Sequence, residues 1–180
     1  MYYMFLADGF EETEALVTLD MMRRANISTK TVGIGDKSVV GAHGICVTAD
    51  LNENEVLLSD CDGIILPGGM PGTENLYLSE TVISAVDFCK NGKMIAAICA
   101  APIILGRKGL LKGKKAVCFP GFENELDGAY VVDALCVRDE NIITAKGAGC
   151  VFEFSHEIIS FVTDRNNADK VILTIQHKGL

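Results

Sequence analysis

A chain of 180 residues that is 49% hydrophobic and 22% charged has the make-up of one folded domain, residues 1–180, and not of a disordered segment. Its formal charge of −8 argues against nucleic acid or an anionic membrane as the main partner. Seven cysteines without C-x-x-C spacing, beside only three histidines, argue for reduced thiols in a cytoplasm and against a structural zinc site. The start of the chain lacks a basic leader, and no apolar run approaches the roughly 20 residues that span a bilayer.

Tyr2 to Ala7 reads as a first strand, broken by Asp8-Gly9. Glu11 to Arg24 reads as a helix. Glu11, Glu12 and Glu14 in its first turn and Arg23 and Arg24 in its last match the helix dipole, with Ala15, Leu16, Leu19 and Met22 as its core stripe. Ser28 to Ile34 is a second strand, and Ser38 to Thr48, punctuated by Gly41 and Gly44, is a short hairpin. Gly63 to Leu66 is an apolar strand closed by Pro67-Gly68-Gly69-Met70-Pro71-Gly72. Ser79 caps a helix that runs to Asn91. Met94 to Ile98 is a buried strand that ends at Cys99, and Pro102 then opens a new helix. Lys115 to Cys118 is a further strand, Ala134–Arg138 with Ile142–Ala145 a hairpin, and helices lie near Val151–Thr163 and Asn167–Gln176. Strands alternating with helices predict an α/β fold, a doubly wound, mostly parallel sheet with helices on both faces. In such sheets ligands gather beyond the carboxyl ends of the strands, where Asp8–Glu14, Pro67–Gly72, Cys99–Ala101 and Phe119–Gly121 should converge.

Cys99 carries the chemistry. It stands at a strand-to-helix corner among Ala96, Ala97, Ala100 and Ala101, small neighbours of the kind a nucleophile elbow needs. Free N–H groups and the positive end of a helix would favour a thiolate there. Against this stands the ordinary role of cysteine as a small buried hydrophobe, which suits most of the other six. Backbone donors for an oxyanion are available from the Gly68-Gly69 loop and from Ala100. That loop matches neither phosphate-binding glycine pattern. Glu11 and Glu12 read as surface residues matching the dipole, whereas Glu14 shares a face with the apolar stripe, and an inward carboxyl has a raised pKa and can act as acid and base. None of His43, His156 and His177 falls in a loop near the corner, so a Cys-His protease mechanism has little support.

Taken together, Asp8-Gly9-Phe10-Glu11-Glu12-Thr13-Glu14, Asp20-Met21-Met22-Arg23-Arg24-Ala25, Leu66-Pro67-Gly68-Gly69, Ala96-Ala97-Ile98-Cys99-Ala100-Ala101-Pro102 and Lys146-Gly147-Ala148-Gly149 followed by Phe152-Glu153-Phe154 resemble the ThiJ/PfpI superfamily. Within it they are most similar to the branch of the Parkinson-disease-associated protein deglycase. The resemblance implies a flavodoxin-like (class I glutamine amidotransferase-like) sandwich and a homodimer, with His43 and Cys46 in a segment similar to the dimer contact. It implies a reactive thiol on Cys99, Glu14 hydrogen-bonded to it, and backbone donors from Gly69 and Ala100, with Gly68, Phe119 and Lys146 lining the pocket. It further implies glyoxalase or deglycase activity on small 2-oxoaldehydes such as methylglyoxal or on glycation adducts, tied to oxidative or carbonyl stress, without metal or organic cofactor. The alternative it carries is a redox sensor or chaperone whose cysteine is oxidised without turnover. Three positions depart from the pattern. Ala100 stands where the protease-like branch has histidine, which speaks against peptidase activity. Phe119 stands where the deglycase branch often has histidine, and Lys146 where relatives often carry arginine.

Overall fold

The computed structural model describes residues 1–177. In chain order the elements are β1 (Tyr2–Leu6), α1 (Glu12–Arg24), β2 (Thr29–Gly33), β3 (Ser38–Val40), β4 (Cys46–Thr48), β5 (Leu51–Asn52) and β6 (Gly63–Leu66). There follow α2 (Gly72–Leu78), α3 (Glu80–Cys89), β7 (Met94–Ile98), α4 (Pro102–Arg107), β8 (Lys115–Ala116) and β9 (Tyr130–Val131). The last are β10 (Cys136–Asp139), β11 (Ile142–Ala145), α5 (Val151–Val162) and α6 (Arg165–Thr174). Seven strands form one sheet in the order β10-β11-β7-β6-β1-β2-β5, parallel throughout except for the β10–β11 pair. The fold is α/β and flavodoxin-like.

Side-chain alternation along the strands builds a core on each face. Phe5, Ile64, Leu66, Ile95 and Ala97 pack under α3 and α4, through Val82, Val86, Ile103 and Ile104. Met4, Leu6, Ile65, Ala96 and Ile98 face α1, α5 and α6, through Ala15, Met22, Phe154, Ile158 and Val171. All five residues of β7 are fully buried, as a central parallel strand covered on both faces requires. Each large aliphatic side chain hidden this way contributes roughly 1.5–3 kcal/mol.

The register fixes the site. Leu66 of β6 pairs with Ala97 of β7, and Ala145 of β11 pairs with Ile98, so the loops leaving these strands emerge side by side. Several boundaries differ from the sequence reading. On α1 the buried stripe carries Thr18 and Met21 where Leu16 and Leu19 stay half-buried, because the helix turns toward α5, where Ser155 Oγ donates to Thr18 Oγ1 at 3.5 Å. The strand expected over Lys115–Cys118 keeps only two residues and leaves the main sheet to pair with β9. Beyond it, Val117 N donates to Thr144 Oγ1 at 3.0 Å and Phe119 N to the Cys99 carbonyl at 2.8 Å. The glycine loop runs on into α2, which the Gly/Pro-rich pattern concealed, and β5 is too short to leave a periodic signal. No helix among the described residues is long and apolar enough to cross a membrane.

Candidate active site

Cys99 sits directly after β7 with φ at +64°, a left-handed conformation that strains any residue carrying a Cβ. The corner is over-determined by its neighbours: Cys99 N donates to the Ala145 carbonyl at 2.9 Å while its own carbonyl accepts from Phe119 N. The strain, of the order of 1–3 kcal/mol, is held in place by the surrounding fold. Its side chain is half-buried.

Glu14 approaches from α1. Glu11 caps that helix, its Oε2 accepting from Glu14 N at 2.6 Å, and this sets the direction of the first turn. The Glu14 side chain, 1% exposed, reaches the sheet edge, where Oε2 accepts from Gly68 N at 2.8 Å and the carboxyl lies against the Cys99 thiol. Burial drives the Glu14 carboxyl up to about 7, against the pull of the hydrogen bonds from Gly68, Cys99 and Ala148.

The thiol does not match the sequence expectation of a standing thiolate. Burial, then the Glu14 charge, then the hydrogen bond to Glu14 push Cys99 up to about 12, and the backbone bonds from Gly69 and Ala100 pull only weakly the other way. The physical reason is that α4 spans just six residues, with little dipole to offer, while a carboxylate lies in direct contact. Near neutral pH the pair therefore loses its first proton from Glu14, leaving a thiol against a carboxylate base. The two groups titrate as one unit.

The glycines are steric necessities. A Cβ at Gly68 would lie 2.6 Å from Cys99 Cβ, 2.8 Å from Glu14 Oε2 and 2.9 Å from the Ile98 carbonyl. At Gly69, φ is +90° and a Cβ would meet Glu11 N and the Gly9 carbonyl at 2.5 Å. Gly68→Ala is therefore expected to cost about 1–3 kcal/mol of stability in urea unfolding, from overpacking backed by rigid backbone. It should also separate Glu14 from Cys99 and lower any turnover at least about 100-fold. A variant with unchanged stability would show that the corner is looser than these distances allow.

The structure brings Cys99, Glu14, Gly68, Gly69 and Ala100 together. Phe119 and Lys146 lie beside them, lining with Pro120, Leu135, Gly147 and Ala148 a mostly apolar groove of about 430 Å³. The half-exposed Phe119 ring lies over Gly147, where a Cβ would sit 3.3 Å from it. Lys146 points its ammonium to Asp133 Oδ1 at 2.9 Å, not to the thiol. Ala148, which the sequence does not single out as a pocket residue, also lines this groove because it follows β11 on the same sheet edge. Glu12 corrects another expectation: it is buried and not a surface residue. Its carboxylate accepts from His43 N at 2.7 Å and Ile45 N at 3.4 Å and pairs with His43 Nδ1 at 2.8 Å. Burial alone would raise its pKa, but these bonds hold it near 2. Glu11, Glu12 and His43 thus gather three ligand-type atoms within 4.8 Å of one another, but those of Glu12 and His43 are already bonded to each other. His156 pairs with Asp169 at 2.7 Å in a separate hollow between β10 and α5, and His177 stacks on Phe152. No histidine of the described residues attends Cys99.

A parallel sheet whose central strand ends in a strained cysteine corner, with a buried carboxyl from the first helix against the sulfur, defines a class of α/β proteins built around a cysteine elbow. The DJ-1/PfpI family pattern matches residues 2–161, and the chain belongs to that family. It is 31% identical over 170 residues to Protein dj-1beta of Drosophila melanogaster, covering 92% of this chain and 91% of that protein. A protein named as a deglycase from Pyrococcus abyssi is 28% identical over 159 residues, covering 87% and 95%. The crystal structure of a DJ-1 superfamily protein from Salmonella typhimurium, solved as a cysteine-to-alanine mutant, superposes with a TM-score of 0.93 at 35% identity, covering 99% of this chain and 98% of that one.

Proposed function

We propose that the protein is a cofactor-free, cysteine-dependent glyoxalase or deglycase acting on small 2-oxoaldehydes or their glycation adducts. The observation that carries this reading is the buried Glu14 carboxyl, held by Gly68 N at 2.8 Å and set against the Cys99 thiol, with the Gly69 and Ala100 N–H groups beside the sulfur. The relatives named as deglycases support it. The Cys99 sulfur attacks the aldehyde carbon as Glu14 takes the thiol proton, and that proton passes to the developing alkoxide to give a hemithioacetal. Gly69 and Ala100 N–H groups hold the negative oxygen. Glu14 then moves the hydrogen of the former aldehyde carbon to the neighbouring carbon while the hydroxyl proton passes to the neighbouring carbonyl oxygen, converting the hemithioacetal to a thioester. Water breaks the C–S bond, releasing a 2-hydroxy acid and the free thiol. The apolar groove under Phe119 receives the substituent of the substrate. The working form we propose is a homodimer in the cytoplasm, joined through the β3–β4 hairpin, whose Val40 and Ile45 are exposed.

The direct test is lactate formation from methylglyoxal by the purified protein; its absence overturns the reading. A phenylalanine cannot move protons, so Phe119→His should raise kcat by about tenfold, a small part of what general acid–base help supplies. A second reading rests on Glu14 being partly protonated at neutral pH, since a neutral carboxyl can donate to a sulfinate on Cys99. Oxygen added to Cys99 by mild peroxide, in a protein without aldehyde turnover, would favour this sensor role.

A further inference from the structure

Cys61 and Cys89 take no part in the chemistry above. Their sulfurs lie 3.6 Å apart, and both side chains are wholly buried. Cys61 leads into β6 and Cys89 ends α3, so the pair occupies the edge of the sheet where β6 and β7 begin, opposite the edge that carries Cys99. Both backbones are tied down. Lys93 Nζ donates to the Cys61 carbonyl at 2.6 Å, and Asn141 Nδ2 donates to the carbonyls of Cys89 at 3.4 Å and Lys93 at 2.6 Å. No other two thiols of the described residues make a sulfur–sulfur hydrogen bond. Sulfurs in this contact need to close by only about 1.6 Å to reach a bond of about 2.05 Å.

We propose that Cys61 and Cys89 are a disulfide-forming pair, a modification site oxidised by peroxide independently of Cys99. The Cys61 sulfur attacks one peroxide oxygen; the S–O bond forms, the O–O bond breaks, and water departs with the thiol proton. The Cys89 sulfur then attacks Cys61; the S–S bond forms, the S–O bond breaks, and a second water leaves. Two thiols lose two electrons and two protons, and one hydrogen peroxide becomes two waters. The same steps run with the two sulfurs exchanged, because either thiol of the contact can donate to the other. Complete burial makes local opening the gate, so the pair reacts slowly. The closed loop would hold β6, the Gly68-Gly69 turn and α2 within one covalent ring.

The test uses the full chain with Cys99→Ala, treated with hydrogen peroxide, then denatured and alkylated. No Lys or Arg lies between positions 38 and 89, so trypsin alone leaves Cys46, Cys61 and Cys89 on one fragment. Adding a glutamate-specific protease separates Cys61 on 56–74 from Cys89 on 81–90. The expected product is these two peptides joined at a mass about 2 Da below their sum, and separated again by a thiol reductant. The oxidised protein should also melt several degrees higher, a rise that Cys89→Ser abolishes. Cys61 and Cys89 still alkylated after prolonged peroxide treatment would overturn the proposal, as would linkage spread among all the cysteines. The peptide mapping decides the matter even where Cys89→Ser fails to fold.

Discussion

Replacing Cys99 by alanine should lower kcat/KM for methylglyoxal by about 10⁴-fold or more while leaving the protein folded. Removing a nucleophile destroys the covalent path outright and leaves only binding and oxyanion donors, a pattern that costs about 10⁴–10⁶ in enzymes of this logic. The other cysteines cannot substitute. Burial pushes the Cys118 thiol up to about 11, and Cys150 is spent donating to the carbonyls of Gly147 and Leu135. With seven thiols in the chain, labelling does not identify the working one, whereas a steady-state assay does. Stability gives an independent reading of the same corner. Alanine keeps the left-handed strain that φ of +64° imposes, but Cys99→Gly releases it, so glycine should be the more stable of the two inactive variants by about 1 kcal/mol in urea. Equal stability would mean that the corner holds no strain, and residual turnover near the wild-type level would remove Cys99 from the reaction.

The legible and illegible parts of this site divide along physical lines. The strand-to-helix corner at Cys99 was readable because a five-residue apolar run, small alanines and Pro102 all act locally. Ser79 as a cap and the β10–β11 hairpin were readable for the same reason: short-range rules decide them. Glu14 was readable as an inward carboxyl from helix phase, yet its partner Gly68 lies 54 positions away in the loop that follows β6. Glu12 shows the limit. Next to Glu14 and equally acidic, it looked like surface charge, but the hairpin tip folds over it and supplies two N–H groups and an imidazole, which only tertiary packing could reveal. The charge state of Cys99 was misread because helix polarity is a local feature and the opposing carboxylate is not.

Glu14→Gln separates catalysis from stability in a way that a structural role could not imitate. The carboxyl titrates near 4.5 in an unfolded chain and near 7 in the fold, so between those values the folded state binds more protons than the unfolded one. Stability contributed by this group is therefore present at low pH and lost as pH rises toward 7. The loss for so buried a group reaches an upper bound of about 3 kcal/mol, smaller if the pair relaxes together. Glutamine is neutral at every pH and can turn its carbonyl to the Gly68 N–H and its amide to the sulfur. The variant should match wild type near pH 4.5 and exceed it by about 1–3 kcal/mol at pH 8, with the gap opening across that window. Other acids, Glu12 among them, titrate alike in both proteins and cancel in the difference. Turnover should move oppositely: wild-type kcat/KM rises with pH as Glu14 ionises near 7, and the glutamine variant falls about 10²- to 10⁴-fold with that limb erased. Denaturant curves and rate profiles on the same two proteins give both signs. A glutamine variant that is less stable at pH 8, or that keeps the ionisation near 7 in its rate profile, would place the proton somewhere other than on this carboxyl.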